Sequence, residues 1–381
     1  MDAVNTQGNT LYFRVSGINV SLANALRRVI LAEIPCVVLN AESDDEIEIE
    51  RNTTRLNNEL IRQRLSCVPV HVTDTAIGDH EIEIDVENTG DAVMMVTTRN
   101  FRVKNRATDT YLTEKATRSM FPPDPITGDF IDLVRLRPVQ TNGGNEAIKL
   151  RCRLGVATAS ENASFGVAAT CSYSATQDVA ASDAAWEAKK PDTTDEDALR
   201  TAKSDWNLLG AKRYVLPDSF DFVVETVGQF SNEQLVIRAC EVMIDKLKRF
   251  GVLDAGHVSV APSPGTMENA YTATMRGEGY TLGKVIESVL FLTHMQGQPG
   301  ADGTIVYCGF RKPHPHVDVS EIRMAFKSNG SVETARSVLT AASVRAVAAF
   351  ETLASVFAST AGASSISSNR IMHGADARAR A

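Results

Sequence analysis

The amino-acid sequence predicts an α+β fold with two modules, each made of helices on one face of an antiparallel sheet, and a mostly β domain inserted in the first module. The chain has 381 residues, enough for two or three domains with their own cores. Strands and amphipathic helices occur near both ends, whereas residues 47–171 alternate with the period of a strand. Because two helix-on-sheet layers leave helix faces that need a partner, we expect the modules to form an intramolecular pseudodimer.

The first module is predicted over residues 1–46 and 172–251. It begins with a strand at 11–15 and a helix at 21–31, for which Ser21 is a suitable N-cap. Apolar residues recur on this helix at helical spacing: Leu22, Leu26, Val29 and Ile30. The small residues Ala23 and Ala25 narrow the helix, so another element can approach its backbone closely.

The helix that ends the first module has the clearest boundary signals in the chain. Ser231 and Gln234 match a capping box, and Gly251 is a suitable C′ residue. A strand is predicted before it at 220–228. The apolar stripe of the helix is Leu235, Val236, Ala239, Val242, Met243 and Leu247. Residues 252–266, which contain two prolines and two glycines, are predicted to be a linker.

The inserted domain is predicted over residues 47–171. Its strands are expected at 46–50, 81–86 and 130–134, with one short helix at 58–65. The region 172–217 is rich in Ala, Asp, Lys and Thr without clear periodicity, so we expect a long surface excursion there.

The second module is predicted over residues 267–358. Its strands are expected at 270–275, 304–310 and 319–326. A helix carries apolar residues at i, i+3, i+4, i+7 and i+8: Leu282, Val285, Ile286, Val289 and Leu290. A long helix at 331–358 carries Leu339, Ala346, Phe350, Leu353 and Phe357 as a packed seam. The tail, residues 359–381, is predicted to be disordered.

Composition restricts the classes of function. The 39 basic and 47 acidic residues give a net charge of −8, which argues against a surface devoted to nucleic acid. The sequence has no uninterrupted apolar run of membrane-spanning length and no secretory signal, so we expect an intracellular, soluble protein. Six cysteines are scattered singly, without a Cys-x-x-Cys pair, so we expect free thiols that are buried or partly buried, and neither a metal nor a cofactor.

Two strings resemble catalytic motifs without completing them. Residues 278–285 approach a phosphate-binding loop, but Glu278 stands where the first glycine is needed and Val285 where a hydroxyl would hold Mg²⁺. His314 and His316 flank a proline and could form a metal pair or a general base, although a turn with polar rings is the commoner reading. Residues 124–129 have too few oxygens for a calcium loop.

Taken together, several strings resemble the assembly subunits of cellular RNA polymerases. VSLANALRRVILAEIP at residues 20–35 is similar to the first helix of the bacterial alpha, archaeal D and third polymerase II subunits. The segment at 52–70 follows their pattern N-x-[ST]-x-L-x-x-E-x-I-x-x-R-L, and FVVETVG at 222–228 matches the returning half of that domain. EGYTLGK at 278–284 and YCGFRKPHP at 307–315 instead resemble the archaeal L and the eleventh polymerase II subunits.

The resemblance implies a non-catalytic platform that fuses a D-type and an L-type dimerisation module. Such a platform assembles the two large catalytic subunits and small subunits, without membrane or sequence-specific nucleic-acid binding of its own. Fused subunits are typical of large DNA viruses, which implies a location in the virion and the host cytoplasm or viral factory, and otherwise in the nucleus. Tyr280 and Lys284 depart from the His and Asn of the L-type pattern.

The resemblance also assigns roles to residues. The expected interface within the pseudodimer is Leu22, Ala23, Leu26, Val29, Ile30, Leu282, Val285, Ile286, Leu290, Phe350 and Leu353. The expected contacts with a large subunit are Arg27, Arg28, Arg62, Arg64 and Phe165. Phe165 lies in a segment, 155–165, that keeps little of the loop by which relatives touch the second-largest subunit.

Two other functions stay open at this point. The chain could be a free-standing homodimeric adaptor unrelated to transcription. It could also be a small hydrolase that uses His314 or His316.

Overall fold

The computed structural model describes residues 2–138 and 144–376, with side chains for residues 5–138 and 144–359. Its strands are β1 (Asp2–Gln7), β2 (Thr10–Ser16), β3 (Cys36–Leu39), β4 (Ile47–Asn52), β5 (His80–Glu87), β6 (Met94–Thr97), β7 (Arg102–Asn105), β8 (Thr110–Tyr111), β9 (Asp132–Leu136), β10 (Ala147–Ala157), β11 (Ala168–Gln177), β12 (Val215–Thr226), β13 (Val258–Pro262), β14 (Ala270–Arg276), β15 (Ile305–Arg311) and β16 (Val319–Phe326). Its α-helices are α1 (Val20–Ala32), α2 (Asn58–Ser66), α3 (Glu114–Met120), α4 (Val179–Lys189), α5 (Glu196–Asp205), α6 (Asn232–Gly251), α7 (Tyr280–His294) and α8 (Val332–Asp376).

The chain divides into two compact units. Unit 1 consists of Met1–Ile30, Thr170–Glu225 and Asn232–Ala381, and unit 2 of Leu31–Ala169 and Thr226–Ser231. The sequence places the start of the insert at residue 47, whereas unit 2 begins at Leu31. The reason is pairing: β3, directly after α1, hydrogen-bonds to β10 of the same unit.

Unit 1 contains two four-stranded sheets with matching strand order. The first sheet is ordered β1-β2-β12-β11 and the second β13-β14-β16-β15. In chain order the first half of unit 1 has two strands, α1, two strands and α6, and the second half has two strands, α7, two strands and α8. Helices α4 and α5 are additions to the first half, between β11 and β12.

The chain leaves the second strand of each half by the same turn. Gly17 follows β2 with φ +77°, and Gly277 follows β14 with φ +71°. These left-handed conformations favour glycine because it has no Cβ. The N–H of Gly17 donates to the carbonyl of Asp218 at 2.8 Å, and that of Gly277 donates to the carbonyl of Asp318 at 3.4 Å. The shared turn makes Phe13 and Ala273, each buried on its strand, equivalent positions.

Two edge strands are absent from the sequence prediction. β1 is mostly polar and does not alternate polar and apolar residues. It is held in place by antiparallel pairing with β2. β13 lies inside the predicted linker 252–266 and pairs along its length with β14. An edge strand pairs on one side only and tolerates a terminal proline such as Pro262, so neither strand needs a strong periodic signal.

The predicted excursion at 172–217 is largely regular. β11 runs to Gln177, and α4 and α5 follow. The side chains of Asp178 and Asp195 accept hydrogen bonds from the first turns of these helices. Because α4 is alanine-rich and has only Ser182 buried, it lacks the apolar stripe by which the other helices are recognised.

Three boundary predictions also differ from the structure. Asn19, rather than Ser21, caps α1, since its Oδ1 accepts the N–H of Ser21 at 2.8 Å. Gly251 is the last residue of α6, and the positive φ after that helix, +51°, belongs to Leu253. α8 continues to Asp376, through most of the predicted tail, because no proline stops helix propagation there. Residues 377–381 of that tail lie outside the described residues.

Unit 2 is built on a sheet of order β3-β10-β5-β7-β8, with β4 also paired to β10, and a separate two-stranded antiparallel sheet of β6 and β9. The inner face of the large sheet, the β6-β9 sheet and α2 surround one apolar core. Its most buried members include Leu39, Ile61, Leu65, Ile82, Val96, Val103, Leu136 and Ile148. The short helix α3 is an addition to the predicted elements, and the strand predicted at 130–134 lies at Asp132–Leu136.

One helix segment within the described residues, Val332–Ser359 of α8, is long and apolar enough to cross a membrane by length and composition. No membrane-spanning helix is expected from the sequence, because it has no uninterrupted apolar run of that length. A buried core helix meets the same criteria, and Phe350 and Phe357 of this segment are fully buried in unit 1.

Candidate functional site

The candidate site is the set of helices that join the two halves of unit 1. α6 from the first half and α8 from the second pack against each other in opposite directions, and side chains of α8 satisfy the carbonyls at the carboxyl end of α6. Arg336 Nη2 donates to the carbonyl of Leu253 at 2.8 Å, and Thr340 Oγ1 donates to that of Gly251 at 3.0 Å. The second half thus supplies hydrogen-bond donors for the carbonyl groups at the end of a helix of the first half.

Gly251 sets the distance between these helices. A Cβ at this position would lie 2.7 Å from Ser343 Oγ, closer than side chains tolerate. Ser343 is 2% exposed and its hydroxyl donates to the carbonyl of Leu247. The glycine that the sequence suggested as a helix terminator is therefore a close-packing residue.

Aromatic residues extend the junction towards the first sheet. The ring of Phe357 on α8 meets that of Phe13 on β2 edge to face, with centroids 5.3 Å apart. Phe350 and Leu353, both predicted for the interface, are buried on α8 at 0% and 8% exposure. The stripe predicted on α8 is thus buried from Leu339 to Phe357.

α1 and α7 approach each other in the same unit. Arg28 Nε donates to Thr281 Oγ1 at 2.8 Å. At the other end of the pair, Ser21 and Ser288 line one groove of about 270 Å³. The helices therefore run in opposite directions. The carboxyl end of α1 contacts the amino end of α7, and the amino end of α1 lies near the carboxyl half of α7.

The residues predicted for the interface on α1 and α7 are all buried. They are Leu22, Ala23, Leu26, Val29, Ile30, Leu282, Val285, Ile286 and Leu290. Burial is expected both for packing on the helix's own sheet and for packing between the halves, so their assignment to the interface stays a prediction.

The phosphate-loop-like string has a structural explanation. Glu278, 6% exposed, forms an ion pair with Lys246 of α6 at 3.0 Å. Gly283 lies under the ring of Phe310, and a Cβ there would be 2.1 Å from the ring atoms. Tyr280 meets the same ring edge to face at 5.0 Å. This string joins α7 to α6 and to its own sheet.

Arg27 and Arg28, predicted to contact a large subunit, have partners within the chain. Arg27 donates through Nε and Nη2 to Asn24 Oδ1 at 3.1 and 3.0 Å. Arg28 is exposed apart from its bond to Thr281. Of the two, Arg28 keeps more of its guanidinium accessible.

The other three predicted contacts lie in unit 2. Arg62 forms an ion pair with Asp44, and Arg64 Nη1 donates to the carbonyl of Leu133 at 2.7 Å. Phe165 is only 5% exposed, in a short turn before β11. Little of its side chain is open to a partner, and its contact with a large subunit stays a prediction.

Within the described residues, His314 and His316 have no carboxylate or metal-ligand cluster beside them that would support catalysis. His314 and His316 are exposed, with ring centroids 5.1 Å apart, and the N–H of His316 donates to His314 Nδ1. Neither ring hydrogen-bonds to a carboxylate in the part of the chain that the structure describes. Within the same residues, no three His, Cys, Asp or Glu side chains are grouped to hold a metal ion.

The six cysteines are all free thiols. Burial raises the pKa of Cys152, Cys171 and Cys240 to about 12, so these thiols stay protonated and unreactive at neutral pH. Cys67 differs from the expectation, because it is exposed after α2.

The chain is similar in sequence to several subunits of RNA polymerases. The chain is 27% identical over 206 residues to the human DNA-directed RNA polymerases I and III subunit RPAC1, an alignment covering 47% of this chain and 55% of that protein. It is 24% identical over 281 residues to subunit 3 of DNA-directed RNA polymerases II, IV and V from Arabidopsis thaliana, covering 62% and 85%. It is 35% identical over 77 residues to subunit Rpo3 from Thermococcus kodakarensis, covering 20% and 28%.

The chain thus spans about half the length of the human relative it matches. A family model described as the RNA polymerase Rpb3/Rpb11 dimerisation domain matches residues 12–247. That range begins in β2, includes α1 and unit 2, and ends within α6. Since it covers more than half of the sequence, the chain belongs to the family of the RNA polymerase Rpb3/Rpb11 dimerisation domain.

Proposed function

We propose that this chain is an assembly-platform subunit of a DNA-directed RNA polymerase, without an active site of its own, in which a D-type and an L-type module are fused into an intramolecular pseudodimer. Its partners are the two large catalytic subunits and small subunits of the polymerase. Membership of the dimerisation family and relatives named as polymerase subunits support the assignment to transcription.

The observation that carries the fusion is the repeated element order of unit 1. Both halves have two strands, a helix, two strands and a helix, and both sheets place these strands in the same order. The family match covers the first half from β2 to residue 247 in α6, and the second half lies beyond it. Two copies of one dimerisation unit in a single chain can pair without a second molecule.

The helix contacts support pairing of the halves. Side chains of α8 donate hydrogen bonds to backbone carbonyls at and just after the carboxyl end of α6. Arg28 of α1 donates a hydrogen bond to Thr281 of α7. A covalent link replaces a bimolecular encounter by an effective concentration on the order of mM. Such fusion fits a large DNA virus as the source, with the polymerase acting in the virion and viral factory.

The docking of large subunits is assigned to the exposed side of α1. Arg28 projects there as a guanidinium, which can form bidentate pairs with a carboxylate. Arg27, Arg62 and Arg64 are secondary candidates, since each donates from a terminal guanidinium nitrogen to a group within the chain, whereas the bond from Arg28 to Thr281 uses Nε.

The test is purification of the tagged chain from its source, with mass spectrometry and a nucleotide-incorporation assay. We expect the two large catalytic subunits and RNA synthesis to follow the tag. Arg28→Glu should reduce recovery of a large subunit, whereas Arg200→Glu, exposed on α5, should not. A chain that purifies alone or as a homodimer, without polymerase activity, would favour the adaptor function instead.

A cleavage experiment tests the fusion separately. A protease site inserted at the exposed turn around Ala255 separates the halves after α6. We expect the two fragments to stay together during size-exclusion chromatography after cleavage, because α6 and α8 remain packed. Immediate separation into folded fragments would contradict the pseudodimer.

A further inference from the structure

A groove of about 830 Å³ in unit 2 lies between α2 and the two-stranded β6-β9 sheet. Apolar side chains form its walls, among them Leu56, Val68, Met95 and Ile131. Met95 and Ile131 are 42% and 43% exposed, and together with Val93, 57% exposed, they group open apolar side chains in one groove. The groove therefore offers apolar surface that the described chain does not cover.

The same groove is strongly basic at its rim. Arg55, Arg64, Arg135 and Arg137 line it, against a single acidic residue, Asp132. This local excess of positive charge contrasts with the net charge of −8 for the chain. An acidic partner is favoured at this site, and a basic one is repelled.

The four arginines differ in what they can still bind. Arg137 is committed to Glu146, at 2.6 Å from its carboxylate. Arg64 donates to the carbonyl of Leu133, which links α2 to β9 across the groove. Arg55 and Arg135 are exposed, and their guanidinium groups form no hydrogen bond or ion pair with another described residue; Arg55 lies close enough to Glu146 to interact with it through charge alone.

The lining favours a peptide over other ligands. A nucleic-acid groove combines positive charge with aromatic side chains on which bases stack, and no aromatic residue lines this groove. A small-molecule site encloses most of its ligand, whereas Arg55, Met95, Ile131 and Arg135 are all open to solvent. Apolar walls with a basic rim suit a chain that alternates acidic and apolar side chains.

We propose that this groove binds an acidic, apolar peptide segment of another subunit of the polymerase. Apolar side chains of the segment occupy the walls at Met95 and Ile131, and its carboxylates pair with Arg55 and Arg135. The identity of the partner as a polymerase subunit rests on the proposed function, whereas the chemistry of the segment rests on the groove alone.

A peptide-display selection on the purified full-length chain tests the chemistry. We expect enriched peptides to combine Asp or Glu with Leu, Ile, Phe or Met. The double variant Arg55→Glu, Arg135→Glu should bind them about tenfold more weakly, because two charge pairs are lost and repulsion replaces them. The matched control Arg99→Glu, Lys115→Glu reverses two exposed charges of unit 2 outside the groove and should bind normally.

The apolar walls have their own matched pair of variants. Ile131→Ser should weaken binding of the same peptides, whereas Ile126→Ser, at a residue 92% exposed and outside the groove, should not. Basic or acid-free consensus peptides, or equal binding by the Arg55 and Arg135 variant, would overturn the proposal. Competition by single-stranded DNA at equal affinity would also overturn it and favour nucleic acid.

A photo-crosslinking amino acid at Met95, in the chain expressed in its source, tests the partner. We expect a crosslink to an acidic, apolar segment of another polymerase subunit, and none from the same probe at Ile126. Crosslinks only between copies of this chain, or to nucleic acid, would overturn the assignment. If the display result holds while no polymerase co-purifies with the chain, the proposed function fails and the groove chemistry stands.

Discussion

The two halves of unit 1 share one order of strands and helices but fill their cores differently. In the first half Phe13 pairs in register with Phe222, and their rings stack at 5.0 Å. At the equivalent register of the second half, Ala273 pairs with Ile322. The strand order is thus compatible with an aromatic or an aliphatic core, and the volume on the sheet is adjusted by the helix above it.

The helices show the compensating difference. The second half places Gly283 on α7 where the first half has Ala23 on α1, and Phe310 from β15 fills the space that the glycine leaves. In the second half a strand phenylalanine thus packs directly on a glycine of the helix, whereas in the first half two strand phenylalanines stack on each other.

The largest expected effect comes from the aromatic core of the first half. Phe222→Ala should lower the free energy of unfolding by about 4 kcal/mol, because it leaves a cavity beside Phe13. Ile322→Ala in the second half should cost about 3 kcal/mol, since less volume is lost. Urea denaturation followed by tryptophan fluorescence measures this in unit 1, where Trp186 and Trp206, the two tryptophans of the chain, lie. A larger loss for Ile322→Ala would contradict the comparison.

The ion pair between the halves should give the next largest effect. Lys246→Met leaves the buried Glu278 without this partner and should cost about 3 kcal/mol. The control Lys248→Met, 61% exposed with a loose 3.8 Å pair to Glu351, should cost less than about 0.5 kcal/mol. Adding Glu278→Leu to Lys246→Met should restore part of the loss. Equal losses for both lysine variants in urea denaturation would show that the pair contributes nothing.

The helix glycine offers a smaller effect with a built-in rescue. Gly283→Ala should destabilise unit 1 by about 2 kcal/mol, since the new Cβ collides with the ring of Phe310. The converse change in the first half, Ala23→Gly, should cost only about 1 kcal/mol through helix propensity. Combining Gly283→Ala with Phe310→Leu should recover stability. Thermal unfolding curves of the three variants would show whether it does.

Acidification should give the smallest effect. Burial lowers the pKa of His71 in unit 2 and of His257 in unit 1 below the ordinary value of 6.5. Because the unfolded chain takes up these protons more readily, stability is fully present above about pH 6.5 and is lost as the pH falls below it. His71→Gln and His257→Gln should each flatten this dependence in urea denaturation at about pH 7.5 and about pH 5.5. Unchanged slopes would exclude these histidines as the cause.

The helices of unit 1 were predictable because each buries one face. The stripes on α6, α7 and α8 lie at the residues that the spacing indicates, apart from Val242 and Val289, which are half-buried. Edge strands and surface helices were not predictable. β1, β13 and α4 are held by pairing, capping and alanine content, none of which leaves a periodic pattern.

Only part of the candidate site could be predicted from the sequence. The resemblance to polymerase subunits indicated Arg28 and the stripes of α1 and α7, and family membership agrees with that origin. The bond from Arg28 to Thr281 joins residues far apart in the chain, and no local spacing signals it. The groove arginines, Arg55 and Arg135, lie in an ordinary loop and strand, and only folding brings them to one rim.

By itself, the sequence determined the α+β class, the amphipathic helices and the likeness to polymerase assembly subunits, because periodicity and motifs are local properties of the chain. Only the tertiary structure decided that Gly251 is a packing residue, that Phe165 is buried and that the strands of the two halves are arranged in the same order. Those features depend on which distant segments meet, and that choice is made by burial of the whole chain.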